Sequence, residues 1–310
     1  MTLRQLQCLC AVIDHGLNLS RAARALHTSQ PAVTKMIQAL EHELGLGILV
    51  RAGTKIVGIT EQGNEIVSFA NIVLHDVKNL RLAASESLDN PRGRLCIGTT
   101  HLQARHTLVG VIQRFAAKCP EIDLTISVST PIEITQGVAS GAIDMGICAL
   151  PRSVKSELLT LATHDVHRCL IAPAGHPILR KKKLSWVDIS AYRLITNDDR
   201  FATGEIVERA LHSEQFTQRT TMRATDADIM KAFVAAGLGI AVIQNIAFDA
   251  KQDTSIRAVN VDHLFPASTT CILLRKDCYL RSSMCEFIST FSPKWSREKI
   301  ELARASSLSR

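Results

Sequence analysis

Apolar residues recur at helical spacing from the start of the chain. Leu3, Leu6, Leu9 and Val12–Ile13 predict a first helix ending near Gly16. Asn18 stands where it can cap a second, short helix over 19–26, with Ala22, Ala23 and Leu26 turned inward. After a turn at His27–Thr28, Ser29 is the cap of a third helix, and Pro31 falls in its first turn, where a missing N–H costs little. Val33, Ile37, Leu40 and Leu44 form the apolar stripe of that helix; Gln30, Thr34 and Gln38 lie opposite, flanked by Lys35. Gly45 stops it. Residues 46–59 read as a short hairpin turning at Arg51-Ala52-Gly53-Thr54, and Thr60 caps a long helix running from Glu61 to about Ser87.

In the long helix, Ile66, Phe69, Val73, Leu80 and Ala83 trace a heptad-like seam broken by Asp76 and widened by Ala70, Val77 and Ala84. A helix this long with one apolar stripe must bury it, and a second copy of the chain is the economical partner. Asn90-Pro91-Arg92-Gly93 marks a boundary. Beyond it, β-rich runs at 94–99, 123–128, 145–148, 168–173, 240–242 and 271–274 alternate with helical patterns at 108–117, 134–140 and 226–236. That alternation predicts α/β units around largely parallel sheets. The fold class expected is therefore α/β with an all-α N-terminal part. Its divisions are 1–60, a linker helix over 61–90, a larger unit over 91–292 and a C-terminal tail over 293–310.

Composition narrows the class. At 310 residues, with 46% apolar and 21% charged residues, the chain suits two or three globular units. Its apolar runs are too short to span a bilayer, and no secretory pattern opens it, so a cytoplasmic protein without a membrane partner is expected. The nine cysteines are odd in number, scattered and free of C-x-x-C pairs, which predicts buried, reduced thiols and neither zinc nor disulfides. The net charge of +7 is no DNA signal by itself. Up to residue 60, Arg4, Arg21, Arg24, Lys35, Arg51 and Lys55 face only Asp14, Glu41 and Glu43; by residue 90 the balance is zero. The arrangement near the N-terminus must carry any such reading.

That arrangement is specific. Two short helices joined by a tight turn set the polar face of the second outward, where Ser29, Gln30, Pro31, Thr34, Lys35 and Gln38 can meet base edges and phosphates in a major groove. Ser20 and Arg21 on the preceding helix, and Arg51 and Lys55 in the hairpin, are candidates for the sugar-phosphate backbone. Ala22-Ala23, Leu26, Ser29-Gln30-Pro31-Ala32-Val33, Leu40-Glu41, Leu44-Gly45 and Thr60-Glu61-Gln62-Gly63 together resemble the N-terminal domain of LysR-type transcriptional regulators. The likeness extends over nearly the whole chain, through Gly141–Ile147, Gly175-His176-Pro177 and Gly237–Ile243. The resemblance implies a winged helix-turn-helix, a dimerising linker helix and an effector domain of periplasmic-binding-protein type in two subdomains. It also implies double-stranded promoter DNA as a partner, dimers that pair into tetramers, a contact to RNA polymerase, and no cofactor.

Two further segments, Thr99–Arg105 and Ala224–Lys231, are similar to the family's cysteine-regulon branch, which controls sulfur acquisition and binds sulfate, related anions or acetylated serines between the subdomains. The resemblance makes Thr99, Thr100, His101, Leu102, Gln103, Ser129, Thr130, Ala149, Ala202, Thr203, Thr225 and Asp226 the candidate effector contacts. Leu102, Ala149 and Ala202 stand where the branch commonly has threonines, with Thr203 one place on. Fewer hydroxyls leave room for an organosulfonate beside sulfate, thiosulfate or an O-acetylserine-like ligand. Competing readings are a regulator of aromatic or other catabolic genes and, more remotely, a solute-binding protein. His164 and His167 have no third ligand nearby in sequence, Arg180–Lys183 reads as a solvated loop, and no catalytic motif occurs, so neither a metal site nor an enzyme is expected.

Overall fold

The computed structural model describes residues 1–53, 55–86, 93–149, 157–198, 201–213, 220–265 and 268–308. The chain divides into two units, one N-terminal of residue 90 and one comprising most of the remainder. The boundary expected at Asn90, Pro91 and Arg92, Thr54 of the hairpin turn and Ser87 at the end of the long helix lie outside the described residues.

The first unit holds α1 (Leu3–Asp14), α2 (Leu19–Ala25), α3 (Gln30–Leu44), the hairpin β1 (Leu49–Ala52) and β2 (Lys55–Ile59), and α4 (Glu61–Glu86). Thr2, Asn18 and Ser29 cap the first three helices with side-chain oxygens, each accepting from the backbone three residues on. Gly45 closes α3 in the left-handed conformation at φ 69°. Leu6, Leu9, Val12, Ala22, Val33, Ile37, Leu40 and Ile48 meet in one buried core, where Ala22 and Ala23 let α2 approach its neighbours. Glu41 binds the hairpin to α3: its Oε1 accepts from the backbone N–H of Ile48 (2.9 Å) and Leu49 (3.0 Å). Gly63 is required by close approach, because a Cβ there would stand 2.3 Å from the Ile48 carbonyl oxygen.

The seam of α4 divides. Ala70 is buried in the core of this unit, with Ile66, Val67 and Leu74 packed against it. Phe69 (64% exposed), Val73 (40%) and Leu80 (71%) remain outside.

The second unit is built on two five-stranded sheets. It opens with β3 (Gly93–Thr99), α5 (His101–His106), α6 (Leu108–Lys118), β4 (Ile122–Val128), α7 (Pro131–Ala139), β5 (Met145–Ala149) and β6 (Leu158–Asp165). The chain then crosses into β7 (Arg168–Pro173), α8 (Trp186–Ser190), β8 (Leu194–Asn197), α9 (Ala202–Ser213), β9 (Thr220–Ala224), α10 (Ala227–Ala235), β10 (Ile240–Gln244) and β11 (Ile256–Asn260). It returns as β12 (Thr269–Arg275), α11 (Ser282–Phe291) and α12 (Arg297–Leu308). The sheet orders are β4-β3-β5-β12-β6 and β11-β7-β10-β8-β9. Helices cover both faces, so central strands such as β7 and β10 are buried on both sides and read as unbroken apolar runs.

Two expectations are corrected. The sheets are mixed: β12 runs antiparallel to β5 and β6, and β7 antiparallel to β10 and β11. These strands enter their sheets by crossing from the other half, and an apolar run carries no sign of its direction. Residues 293–310, expected as a tail, hold α12, whose Ile300 is fully buried against the core of the first sheet. Among the described residues, no helix is long and apolar enough to cross a membrane.

Candidate DNA and effector sites

On the first unit, Ser20, Arg21, Ser29, Gln30, Pro31, Lys35, Gln38, Arg51 and Lys55 are exposed and Thr34 is half-buried. The Ser20 hydroxyl donates to Gln30 Oε1 (2.9 Å), tying the starts of α2 and α3. Thr34 donates to the Gln30 carbonyl (3.1 Å), and Arg51 reaches Glu41 Oε2 at 3.4 Å. The aliphatic side of α3 is held by its neighbours while its uncharged polar side faces out, the geometry a groove-reading helix needs.

On the second unit, a cavity of about 620 Å³, part of it open to solvent, is lined by Thr100, His101, Leu102, Gln103, Pro131, Ala149, Asn197, Phe201, Thr203, Thr225, Asp226, Ala227 and Gln244. These residues come from both sheets and share one origin: each ends a strand or opens the segment that follows one. The carboxyl ends of parallel strands open where connections diverge, the usual ligand crevice of open α/β sheets. Thr100 caps α5 without a side-chain hydrogen bond, leaving its hydroxyl uncommitted to that helix. Gln103 is 1% exposed; its Nε2 donates to Thr270 Oγ1 (3.2 Å) and its Oε1 has no partner among the described residues. Reversing the amide would exchange the two atoms, so one polar atom of Gln103 stays unmatched either way.

Three expected contacts do not line the cavity. Thr99 is fully buried in β3, its hydroxyl donating to the Ile147 carbonyl (2.9 Å). Ser129 extends the β3–β4 ladder through its backbone N–H to the Thr99 carbonyl. Thr130 forms a reciprocal cap with Glu133, its hydroxyl donating to Glu133 Oε2 (2.9 Å) and accepting from the Glu133 N–H. The side chain of Ala202 lies outside the described residues. Conversely, Pro131, Asn197, Phe201, Ala227 and Gln244 line the cavity without having been expected. Gln244 carried a signal, being the first polar residue after the run Ile240–Ile243. Asn197 carried almost none, because β8 has only four residues.

Beside the cavity, charged groups join the two halves. His101 pairs with Asp226, and Arg105 with Asp228 at 2.7 Å. Lys231 contacts Asp228 (2.9 Å) and Asp253 (3.2 Å). Burial opposes the charge on Asp228, but the hydrogen bond and charge of Lys231, then Arg105 and His106, win and lower its pKa. Burial holds the His106 pKa below its ordinary value despite Asp228. His101, Asp226 and Asp228 could offer three ligand atoms to a metal, but Arg105 and Lys231 already pair with the two oxygens of Asp228. His167 pairs with Asp262 (2.9 Å), whereas His164 lies against the Phe291 ring at 5.8 Å.

A helix-turn-helix with a hairpin wing, joined to a two-sheet unit with a cavity at its strand ends, defines a ligand-responsive transcriptional regulator. Residues 3–64 match the family described as bacterial regulatory helix-turn-helix protein, lysR family, and residues 88–295 match the LysR substrate binding domain. The chain belongs to the LysR family. It is 33% identical to the HTH-type transcriptional regulator SsuR of Burkholderia cenocepacia over 300 residues, covering 97% of each chain. It is also 33% identical to the regulator CysB of the same organism, over 98% of this chain and 97% of that one. Among solved structures, full-length OxyR from Pseudomonas aeruginosa superposes with a TM-score of 0.72 at 22% identity, covering 99% of this chain and 94% of that one, a likeness of fold.

Proposed function

We propose that this LysR-type regulator controls genes of sulfur metabolism, binding their promoters and responding to a small anionic or polar effector in the cavity of its second unit. The observation that carries the effector reading is that cavity: Thr100, Gln103, Thr203 and Thr225 bring hydroxyl and amide groups from both sheets to one crevice. Sulfate, thiosulfate, a sulfonate or an O-acetylserine-like compound suits such a lining, in which convergent polar groups stand among the apolar Leu102, Pro131, Ala149, Phe201 and Ala227. The likeness of Thr99–Arg105 and Ala224–Lys231 to the cysteine-regulon branch supports the sulfur assignment, as do the relatives SsuR and CysB.

In this reading residues 1–60 read DNA, α4 joins two copies, and 91–292 form the effector domain. Gln30, Thr34 and Gln38 address base edges; Ser20, Arg21, Ser29, Lys35, Arg51 and Lys55 hold phosphates, with Pro31 at the helix entry. Dimers pair into tetramers, contact RNA polymerase and work in the cytoplasm, without catalysis. Ligand closing the cavity favours one arrangement of the paired reading heads by a differential affinity of a few kcal/mol.

The test is a gel-shift and footprint on promoters of sulfur genes, paired with thermal-shift screening of sulfate, thiosulfate, sulfonates and O-acetylserine. A native-state ligand raises the midpoint. No promoter preference over random duplex would refute the regulator's targets, and a response to aromatic acids alone would move the effector to the catabolic alternative.

A further inference from the structure

Among the described residues Arg168 is the bulkiest fully buried side chain, 2% exposed at the first position of β7. Among the described residues its guanidinium pairs with no carboxylate. Nε donates to Thr203 Oγ1 at 3.4 Å, Nη2 donates to Ser268 Oγ at 2.8 Å, and the group lies 5.0 Å from the centre of the Phe265 ring. Asp262, the nearby acid, is engaged otherwise: it accepts from the Arg168 backbone N–H (2.6 Å), from Asn260 and from His167. Burial lowers the Arg168 pKa, and the charge of Asp262 opposes it. A buried cation without a matching anion is expensive, so its retention needs a reason.

The reason lies one bond away. Thr203 is 4% exposed and lines the cavity. Because its oxygen accepts from Arg168, its own hydrogen is free to donate, and the buried charge polarises that donor. The described lining residues include no fixed cation: the ionisable ones are Asp226 and His101, paired with each other. Arg105 and Lys231, beside the cavity, are each held by Asp228, whereas the Arg168 guanidinium is held by the Thr203 and Ser268 hydroxyls.

We infer that Arg168 is a specificity-determining positioning residue, acting through the Thr203 hydroxyl to make the cavity select a small oxyanion, the sulfate ion or a sulfonate headgroup, over a neutral isostere. The inference rests on the cavity being the effector site.

The experiment titrates the full-length protein with sulfate, methanesulfonate and neutral dimethyl sulfone at constant ionic strength, by calorimetry. The wild type binds both anions in preference to the sulfone. Arg168→Gln weakens both anions by about tenfold or more and leaves the sulfone unchanged, the size expected of a charge-assisted hydrogen bond. Arg168→Lys, which keeps the charge, recovers most of the affinity. Anion binding by Arg168→Gln equal to wild type overturns the inference while leaving the effector cavity standing. A wild type that takes the sulfone and ignores both anions overturns the inference and the anionic reading of the effector together. Should Arg168→Gln fail to fold, Thr203→Val decides: lost anion affinity supports the relay, and unchanged affinity overturns it.

Discussion

The outward seam of α4 makes a quantitative claim about assembly. Phe69, Val73 and Leu80 are 64%, 40% and 71% exposed, at spacings that hold them on one side of the helix. Together they leave roughly 300 Å² of apolar surface per helix, which at ~25 cal/mol per Å² is about 7 kcal/mol per helix when fully covered. Two such helices supply about 15 kcal/mol, against a cost of roughly 4–15 kcal/mol for lost freedom on association. The margin is thin enough for two substitutions to reverse it. Replacing Phe69 and Leu80 together by Glu removes most of this surface and brings four carboxylates into the joint. Sedimentation equilibrium at micromolar concentration should then find the mass of the double variant reduced to half the wild-type value or less, with helical circular dichroism unchanged. Leu302→Glu, on a residue 70% exposed in α12, is the control and should leave the mass unaltered. A double variant with the wild-type mass, or a monomeric wild type, would refute the reasoning.

Lys35→Ala should weaken binding to every duplex alike and reduce the slope of log affinity against log salt by about 1, as measured by fluorescence anisotropy. Asp144 and Arg281 form a 2.7 Å ion pair with each side chain 3% exposed, so Asp144→Ala should cost about 3–5 kcal/mol in urea unfolding, more than replacing both partners by apolar residues. His27 has φ 51° in the turn before α3, and His27→Gly should raise stability by about 0.5–1 kcal/mol because glycine accepts that conformation without the side-chain penalty. In acid, burial depresses the pKa of His106, His164 and His176 below 6.5, so the unfolded chain takes up their protons first; the stability they contribute is present above pH 6.5 and lost as pH falls. In alkali, burial pushes the Cys148 thiol from 9.0 up to about 12, so its contribution is present below pH 9.0 and lost as pH rises; thermal midpoints across pH should fall at both ends.

The first unit was legible almost residue by residue, because its signals are local. Caps at Asn18 and Ser29, the stop at Gly45 and the stripe through Val33, Ile37 and Leu40 each depend on neighbours within one or two turns. The second unit was legible as alternating elements but not in detail. Strand direction, the four-residue β8 and the burial of α12 are set by partners more than 100 residues away in some cases, as with β12 beside β5 and α12 beside β6. The same holds at the site. The stretch Thr100–Gln103 was readable because it directly follows a strand, whereas the roles of Thr99 and Thr130 turned on hydrogen bonds to the Ile147 carbonyl and to Glu133. Arg168 left no mark in sequence at all, since a lone arginine opening an apolar run looks like a strand boundary.

Sheet β11-β7-β10-β8-β9 is nested inside the other: its strands run from Arg168 to Asn260 without interruption, while the first sheet is split around them. Its two ends lie together, for the Val261 N–H donates to the Arg168 carbonyl at 3.2 Å. Only two threads therefore join the halves, side by side. Such a pair flexes about the line through both threads but resists rotation across it, like a door on two pins. Swinging would be confined to one axis, and whatever a captured molecule contributes is channelled into a single reproducible displacement.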